Sequence, residues 1–244
     1  MLDTAVAATR SFLAYAGMLV YIAVAAPPAI VFGLLLRWKR GIYILGHGGV
    51  WLGLTLAGIR YRVSGLEQVP DRSVVFCSNH ESNVDPPVLF EALHPQLHIL
   101  YKAELHNFPL MGTVFDVGGF VAVDRNDREK AMASIADGAR SLRAGNSFLI
   151  FPEGTRSRTG QLLPFKKGGF IMAIEAQAPI VPVAVRGGRD AMRKGSRIVR
   201  PVHVSVRVGT PIPTTGMTLD DRDLLIDRVR LEVQKLLDEG PVWT

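Results

Sequence analysis

The stretch Ser73-Val74-Val75-Phe76-Cys77-Ser78-Asn79-His80-Glu81-Ser82-Asn83-Val84-Asp85-Pro86-Pro87 decides how this chain is read. Its first six residues are small, apolar or β-branched and predict a buried strand over Ser73–Ser78. Pro86 suits the first position of a helix, where a missing N–H costs nothing, and Asp85 is expected to N-cap that helix. The polar residues between them make a strand-to-helix turn. On a continuous helix, residues five apart would diverge, because each step turns about 100°. Across a turn, the Asp85 carboxylate can instead fold back onto the His80 imidazole. A histidine oriented by a carboxylate is a general base for a hydroxyl or thiol. The H-x-x-x-x-D pair alone is weak, since a turn histidine and a helix-capping aspartate also arise without chemistry.

Around this stretch, short β-branched runs alternate with helical ones, which predicts an α/β domain. The expected strands are Tyr61–Ser64, Ser73–Ser78, His98–Tyr101, Gly119–Val123, Ser147–Phe151, Ile180–Val185 and Val202–Val208. Asp127–Ala144 reads as an amphipathic helix with Gly145 just past its end. Gly168–Gln177 and Leu219–Glu239 read as two further helices. A second polar block, Phe151-Pro152-Glu153-Gly154-Thr155-Arg156-Ser157-Arg158, again follows an apolar strand, and Lys166-Lys167-Gly168-Gly169 opens the next helix. Guanidiniums, a Gly-rich turn and a helix N-terminus together suit a phosphate group.

Upstream lies a different kind of sequence. No charged side chain occurs from Ser11 to Leu36, and the run closes with Arg37-Trp38-Lys39-Arg40. About 20 apolar residues suffice to cross a bilayer as a helix. The basic, Trp-bearing flank reads as an interfacial anchor that keeps the downstream chain on the cytoplasmic side. A cleaved signal peptide fits poorly, because no small-residue cleavage site follows. Pro27-Pro28 is expected to kink or break the helix, so spanning and half-inserted geometries both fit. Gly41–Ile59 is a second uncharged run, readable as a helix covering the next domain. Residues 1–59 are therefore expected to form a membrane-anchoring segment and residues 60–244 the α/β domain.

Composition limits the alternatives. The 244 residues carry 28 Lys+Arg against 22 Asp+Glu, a net +6, and are 48% hydrophobic, which excludes a disordered chain. A single cysteine excludes a disulfide framework. A pI near 9.7 beside a mean hydropathy of +0.21 suits an anionic membrane face as well as nucleic acid. A nucleic-acid partner leaves the apolar N-terminus unexplained, so none is expected. Cys77 lies in an apolar strand and reads as a buried small hydrophobe, not a nucleophile. His94 and His98 are separated by Pro95, so no metal site is expected.

Asn79-His80-x-Ser82-x-x-Asp85 together with Phe151-Pro152-Glu153-Gly154-Thr155-Arg156-Ser157 resembles the glycerolipid acyltransferases, over Val74 to Val185. Lys102-x-Glu104-Leu105 with Pro109 and Gly112, then Gly119–Arg125, resembles that family's second block, with Ala122 where an aromatic is common. Ile180–Val185 resembles the fourth, with Ala184 in place of a frequent proline. The resemblance implies a mixed sheet flanked by helices. It implies His80 as the base that deprotonates a glycerol hydroxyl, and Asp85 as its orienting partner. Glu153, Gly154, Thr155 and Arg156 would bind a lysophosphatidic acid-like acceptor, with Arg156 on the phosphate and Arg125 and Lys102 adding positive charge. The co-substrate would be an acyl-CoA or acyl carrier protein thioester, with no bound cofactor or metal. Membrane phospholipids would be the surrounding partners, with the active site on the cytoplasmic face. A different acceptor (glycerol-3-phosphate, a lysophospholipid or a lyso-aminolipid) or a non-catalytic phospholipid-binding module are the alternatives.

Overall fold

The structure, a computed structural model, describes residues 2–36, 38–93, 96–107, 111–124 and 127–243, with residues 2, 3, 32, 34–36, 102, 111, 114 and 128 described in their backbone only. Seven strands, β1 (Arg60–Ser64), β2 (Val75–Ser78), β3 (Leu97–Lys102), β4 (Val121–Val123), β5 (Ser147–Ile150), β6 (Ile180–Arg186) and β7 (His203–Val208), build one sheet in the order β1-β7-β6-β2-β5-β3-β4. All seven fall where the apolar runs predict them, with ends shifted by one or two residues. β6, β2, β5, β3 and β4 run parallel, whereas β7 is antiparallel to β6 and carries β1 parallel to itself. The sheet is therefore mixed.

Alternation along the strands divides the core into two layers. In β2 and the residue before it, Val74 and Phe76 face one side while Val75 and Cys77 face the other, all fully buried. The first layer is covered by α2 (Lys39–Ala57) and α3 (Asp85–Leu93), through Tyr43, Leu54, Val88 and Leu89. The second is covered by α5 (Arg128–Arg143), α6 (Gly168–Ala176) and α8 (Arg222–Asp238), through Ala139, Phe170, Met172 and Val229. Strands buried on both faces have no need of polar residues, which is why β2, β5 and β6 are near-continuously apolar.

From β2 the chain leaves through α3 for β3, beyond β5; from β5 it leaves through α6 for β6, beyond β2. The two connections diverge, and open α/β sheets bind ligands at the carboxyl ends of such strands. His80 follows the end of β2, and Glu153 to Arg156 follow the end of β5.

The N-terminal segment forms a hairpin of α1 (Leu2–Leu36) and α2. Pro27 and Pro28 sit inside one continuous α1, so the prolines do not break the helix. The donors they lack would have bonded to the carbonyls of Ala23 and Val24, both on the exposed side of α1, while Ala26 and Ala29 remain buried. Packing on α2 holds the helix together there. Gly48 and Gly49 of α2 admit the Tyr21 ring of α1, whose hydroxyl donates to the Leu45 carbonyl at 2.7 Å. Phe12, Leu19, Val20 and Val24 of α1 and Trp51 of α2 leave large apolar side chains exposed on the hairpin.

Candidate active site

His80 and Asp85 meet as the turn requires: His80 Nδ1 lies 3.0 Å from Asp85 Oδ2. That oxygen also accepts the backbone N–H groups of Glu81 at 2.6 Å and Ser82 at 2.7 Å. An oxygen that accepts from two amides is an acceptor toward the ring as well, so Nδ1 carries the proton and Nε2 keeps its lone pair. The expected cap is not formed. Asp85 is the first residue of α3, and its side chain turns back into the loop instead of toward the helix. Pro86 and Pro87 have no N–H to be capped and the Val88 N–H is taken by the Val84 carbonyl at 3.1 Å, so the carboxylate is left for His80. The imidazole is stacked on Phe151 at 4.3 Å, which fixes its plane.

The second block holds the first in place. Glu153 is buried; its Oε1 accepts the His80 N–H at 2.7 Å and its Oε2 accepts the Leu163 N–H at 2.9 Å. The Ser157 N–H donates to the His80 carbonyl at 2.7 Å. Both backbone groups of His80 are thus taken up by the second loop. Burial raises the Glu153 carboxyl above the usual range, and the two amides pull it back down. Glu153 therefore faces backbone rather than open space, unlike Thr155, which is exposed. Gly154 takes φ +67° and leaves room for the Lys166 stem, which a side chain would displace. Lys166 donates its N–H to the Pro152 carbonyl at 2.8 Å. Arg156 is half-buried, and no described carboxylate lies within ion-pair reach of Arg156, Arg158 or Lys166. Lys102 ends β3, beside Val123 of β4, so its backbone is on the same edge of the sheet; Arg125 lies outside the described residues.

Three contributors had no role legible in the sequence, although Asn79 belongs to the first motif. Asn79 bridges β2 to β6 with two 2.8 Å hydrogen bonds, donating to the Val185 carbonyl and accepting its N–H. Gly188 begins the short helix α7 (Gly188–Ala191) and packs on the partner of the base: a Cβ there would collide with Asp85 Oδ1 and stand 3.1 Å from Ser82 Cβ. Asp85 is 0% exposed, and its Oδ1 has no hydrogen-bond partner among the described residues. Lys194 donates to Thr155 Oγ1 at 2.9 Å and to the Arg156 carbonyl at 3.3 Å. A Gly-Gly pair directly after a strand signals close backbone approach, and Gly187-Gly188 after β6 carries that signal. Lys194 has none.

A cavity of about 410 Å³ lies between the hairpin and the α/β domain, reaching Pro86 and Pro87 next to Asp85. Its lining is apolar and includes Ala26 and Ala29 of α1, Gly46 of α2, Pro86 and Phe90 of α3, and Phe120. Cys77 lies fully buried in β2, and burial pushes its thiol upward, so it takes no part as a nucleophile. No group of three or more candidate metal ligands occurs among the described residues.

The paired blocks at the ends of β2 and β5 coincide with a known family: the model described as Acyltransferase matches residues 60–186, and this chain belongs to the acyltransferase family. Among named relatives, it is 34% identical over 199 residues to a 1-acyl-sn-glycerol-3-phosphate acyltransferase of Limnanthes douglasii, covering 80% of this chain and 70% of that protein. It is 36% identical over 177 residues to the 1-acyl-sn-glycerol-3-phosphate acyltransferase alpha of Homo sapiens, covering 72% of this chain and 62% of that protein. The crystal structure of the 1-acyl-sn-glycerophosphate (LPA) acyltransferase PlsC from Thermotoga maritima superposes with a TM-score of 0.82. It shares 22% identity and covers 95% of this chain and 94% of that one. That likeness bears on the fold.

Proposed function

We propose that this protein transfers a fatty acyl group from an acyl thioester to the free sn-2 hydroxyl of lysophosphatidic acid, giving phosphatidic acid. The observation that carries this reading is the His80–Asp85 pair at 3.0 Å, bonded through the His80 backbone to the Glu153–Ser157 loop. His80 Nε2 takes the hydroxyl proton as the oxygen attacks the thioester carbonyl. The tetrahedral intermediate then collapses, the C–S bond breaks, and the thiolate takes the proton from the imidazolium. Asp85 supports the imidazolium meanwhile. No enzyme-bound acyl group is needed, because the donor is already activated. Arg156 binds the acceptor phosphate, with Gly154 and Thr155 shaping the loop and Arg125 and Lys102 adding charge. Glu153 acts on the acceptor through His80, as a positioning residue. The cavity behind Pro86 suits an acyl chain, and the thioester head belongs to acyl-CoA or acyl carrier protein.

Residues 1–59 would anchor this site and residues 60–244 perform the chemistry. α1 includes an apolar run, Thr4–Val31, of which 17% is buried in its most apolar window. Near its start, Ser11 bonds to Val199, and near its end Gly33 packs against Val117 of α4 (Met111–Gly118). A helix attached to the same domain near both ends lies along that domain. This favours a half-inserted hairpin, parallel to the bilayer, over a spanning one. Lys39 and Arg40 suit the cytoplasmic headgroups. His80→Ala tests the reading: turnover of lysophosphatidic acid should fall at least ~10³-fold in a folded protein, within the 10²–10⁴-fold range of a general base. Near-normal turnover would remove the assignment.

A further inference from the structure

The segment between β6 and β7 carries five cations, Arg189, Arg193, Lys194, Arg197 and Arg200, against one acid, Asp190. It follows the family-matched region, which stops at residue 186. Arg193, Lys194, Arg197 and Arg200 are exposed, and none forms an ion pair with a described carboxylate. Four exposed cations within eight residues that form no ion pair with a described carboxylate set up a local positive field that attracts anions.

The strip is fixed at both ends. At one end it is sewn to α1: the Val199 N–H donates to Ser11 Oγ at 2.8 Å, Ser11 Oγ donates to the Val199 carbonyl at 3.1 Å, and Tyr15 Oη donates to the Arg197 carbonyl at 2.9 Å. Val199 itself is buried in the core. One residue from Ser11, Phe12 is 71% exposed on the apolar side of α1. At the other end, Lys194 reaches Thr155 and the Arg156 carbonyl of the acceptor loop. The strip therefore runs from the flank of the helix with the exposed apolar face to the loop that holds the phosphate. A cation beside a helix seated in one leaflet stands at headgroup level, where lipid phosphates are.

We propose that Arg193–Arg200 is a docking surface for anionic phospholipid headgroups, which both orients the half-inserted hairpin and leads a phosphate-bearing lipid toward Arg156. This rests on the membrane seating proposed above. Its occupant is the lipid surface rather than an acidic protein, because the strip is bonded to the membrane helix itself.

The test uses the full chain and the triple variant Arg193→Gln/Arg197→Gln/Arg200→Gln, with vesicle co-sedimentation. The vesicles are phosphatidylcholine alone, or phosphatidylcholine with about 30% phosphatidylglycerol. Each basic residue near an anionic surface contributes about fivefold in binding, so the variant should bind the anionic vesicles roughly 100-fold more weakly. Its binding to neutral vesicles and its turnover of a short-chain, soluble acceptor should stay within about twofold of wild type. The corresponding triple Arg→Lys variant should recover the anionic binding, which separates charge from folding. Unchanged anionic binding by the Gln variant overturns the proposal, and so does equal loss on both vesicle types. Loss of turnover with an acyl carrier protein donor alone, at unchanged vesicle binding, also overturns it and assigns the strip to that protein. Failure of the acyl-transfer reading would appear separately, as an inactive wild type, and leaves the vesicle comparison standing.

Discussion

The buried carboxylate of Glu153 holds the catalytic loop by its backbone, with Oε1 2.7 Å from the His80 nitrogen. Together with the Ser157–His80 bond, this makes the position of the base depend on the second block. The two blocks lie 73 residues apart in sequence yet behave as one unit.

Glu153→Gln follows from that bond. An amide has one acceptor oxygen, so either the His80 or the Leu163 N–H must face an NH2 group. Stability should fall by about 1–3 kcal/mol, the cost of an unsatisfied buried donor, and kcat by ~10–100-fold with acceptor KM little changed. Thermal melting and steady-state kinetics check this. A raised KM at intact kcat would return Glu153 to direct contact with the acceptor.

Gly188→Ala should be far more damaging than glycine-to-alanine usually is, because the new methyl occupies the space of Asp85 Oδ1. The expected loss in kcat is at least ~10²-fold, since the carboxylate must leave the ring. Made in an Asp85→Ala background, the same change should cost almost nothing further, the obstructing oxygen being gone. Additive losses in that double-mutant cycle would show that Gly188 acts elsewhere.

Glu81 supplies a pH-dependent prediction. Burial, then the neighbouring Asp85 charge, pushes its carboxyl up to about 7, while Arg189 draws it part of the way back. The folded protein thus holds this proton more tightly than the unfolded chain. Stability is lost as pH rises above the ordinary glutamate value and through the folded one, and the loss is complete above that. Glu81→Gln should therefore melt progressively higher than wild type between pH 5 and 8. The gain is on the order of 1–2 kcal/mol after allowance for residual solvent access. A constant offset across that range would rule Glu81 out as the cause.

The apolar cavity makes a prediction about donors. Ala29 lines it from α1, and Ala29→Phe would fill part of its length. One methylene too many in a closed apolar pocket costs ~10–200-fold, so the ratio of long-chain to short-chain turnover should drop at least ~10-fold. Competition assays with mixed acyl thioesters measure it. An unchanged ratio would place the acyl chain outside this cavity.

The strands, the helix order and the His80–Asp85 turn were legible because each has a local signature: apolar runs, a Gly stop after Asp127–Ala144, a proline-opened helix. The direction of the Asp85 side chain was not. A residue before proline looks like a cap, and only the count of missing donors at Pro86 and Pro87 shows that no cap is needed. The continuity of α1 through Pro27-Pro28 depends on packing against α2, which no single-segment rule contains. Gly188 and Lys194 meet the site from more than 100 residues beyond His80, and such meetings are set by sheet order, which periodicity does not encode.

The attachment of α1 to the α/β domain near both of its ends bears on how this enzyme would count its substrate. A site held at one depth of a leaflet samples a two-dimensional solution. The quantity that governs its rate is then the mole fraction of lysolipid in the bilayer, not the amount per litre of suspension. Diluting vesicles with buffer would leave the rate per bound molecule unchanged, whereas diluting the lysolipid with inert phospholipid would slow it. Saturation would describe the crowding of a surface.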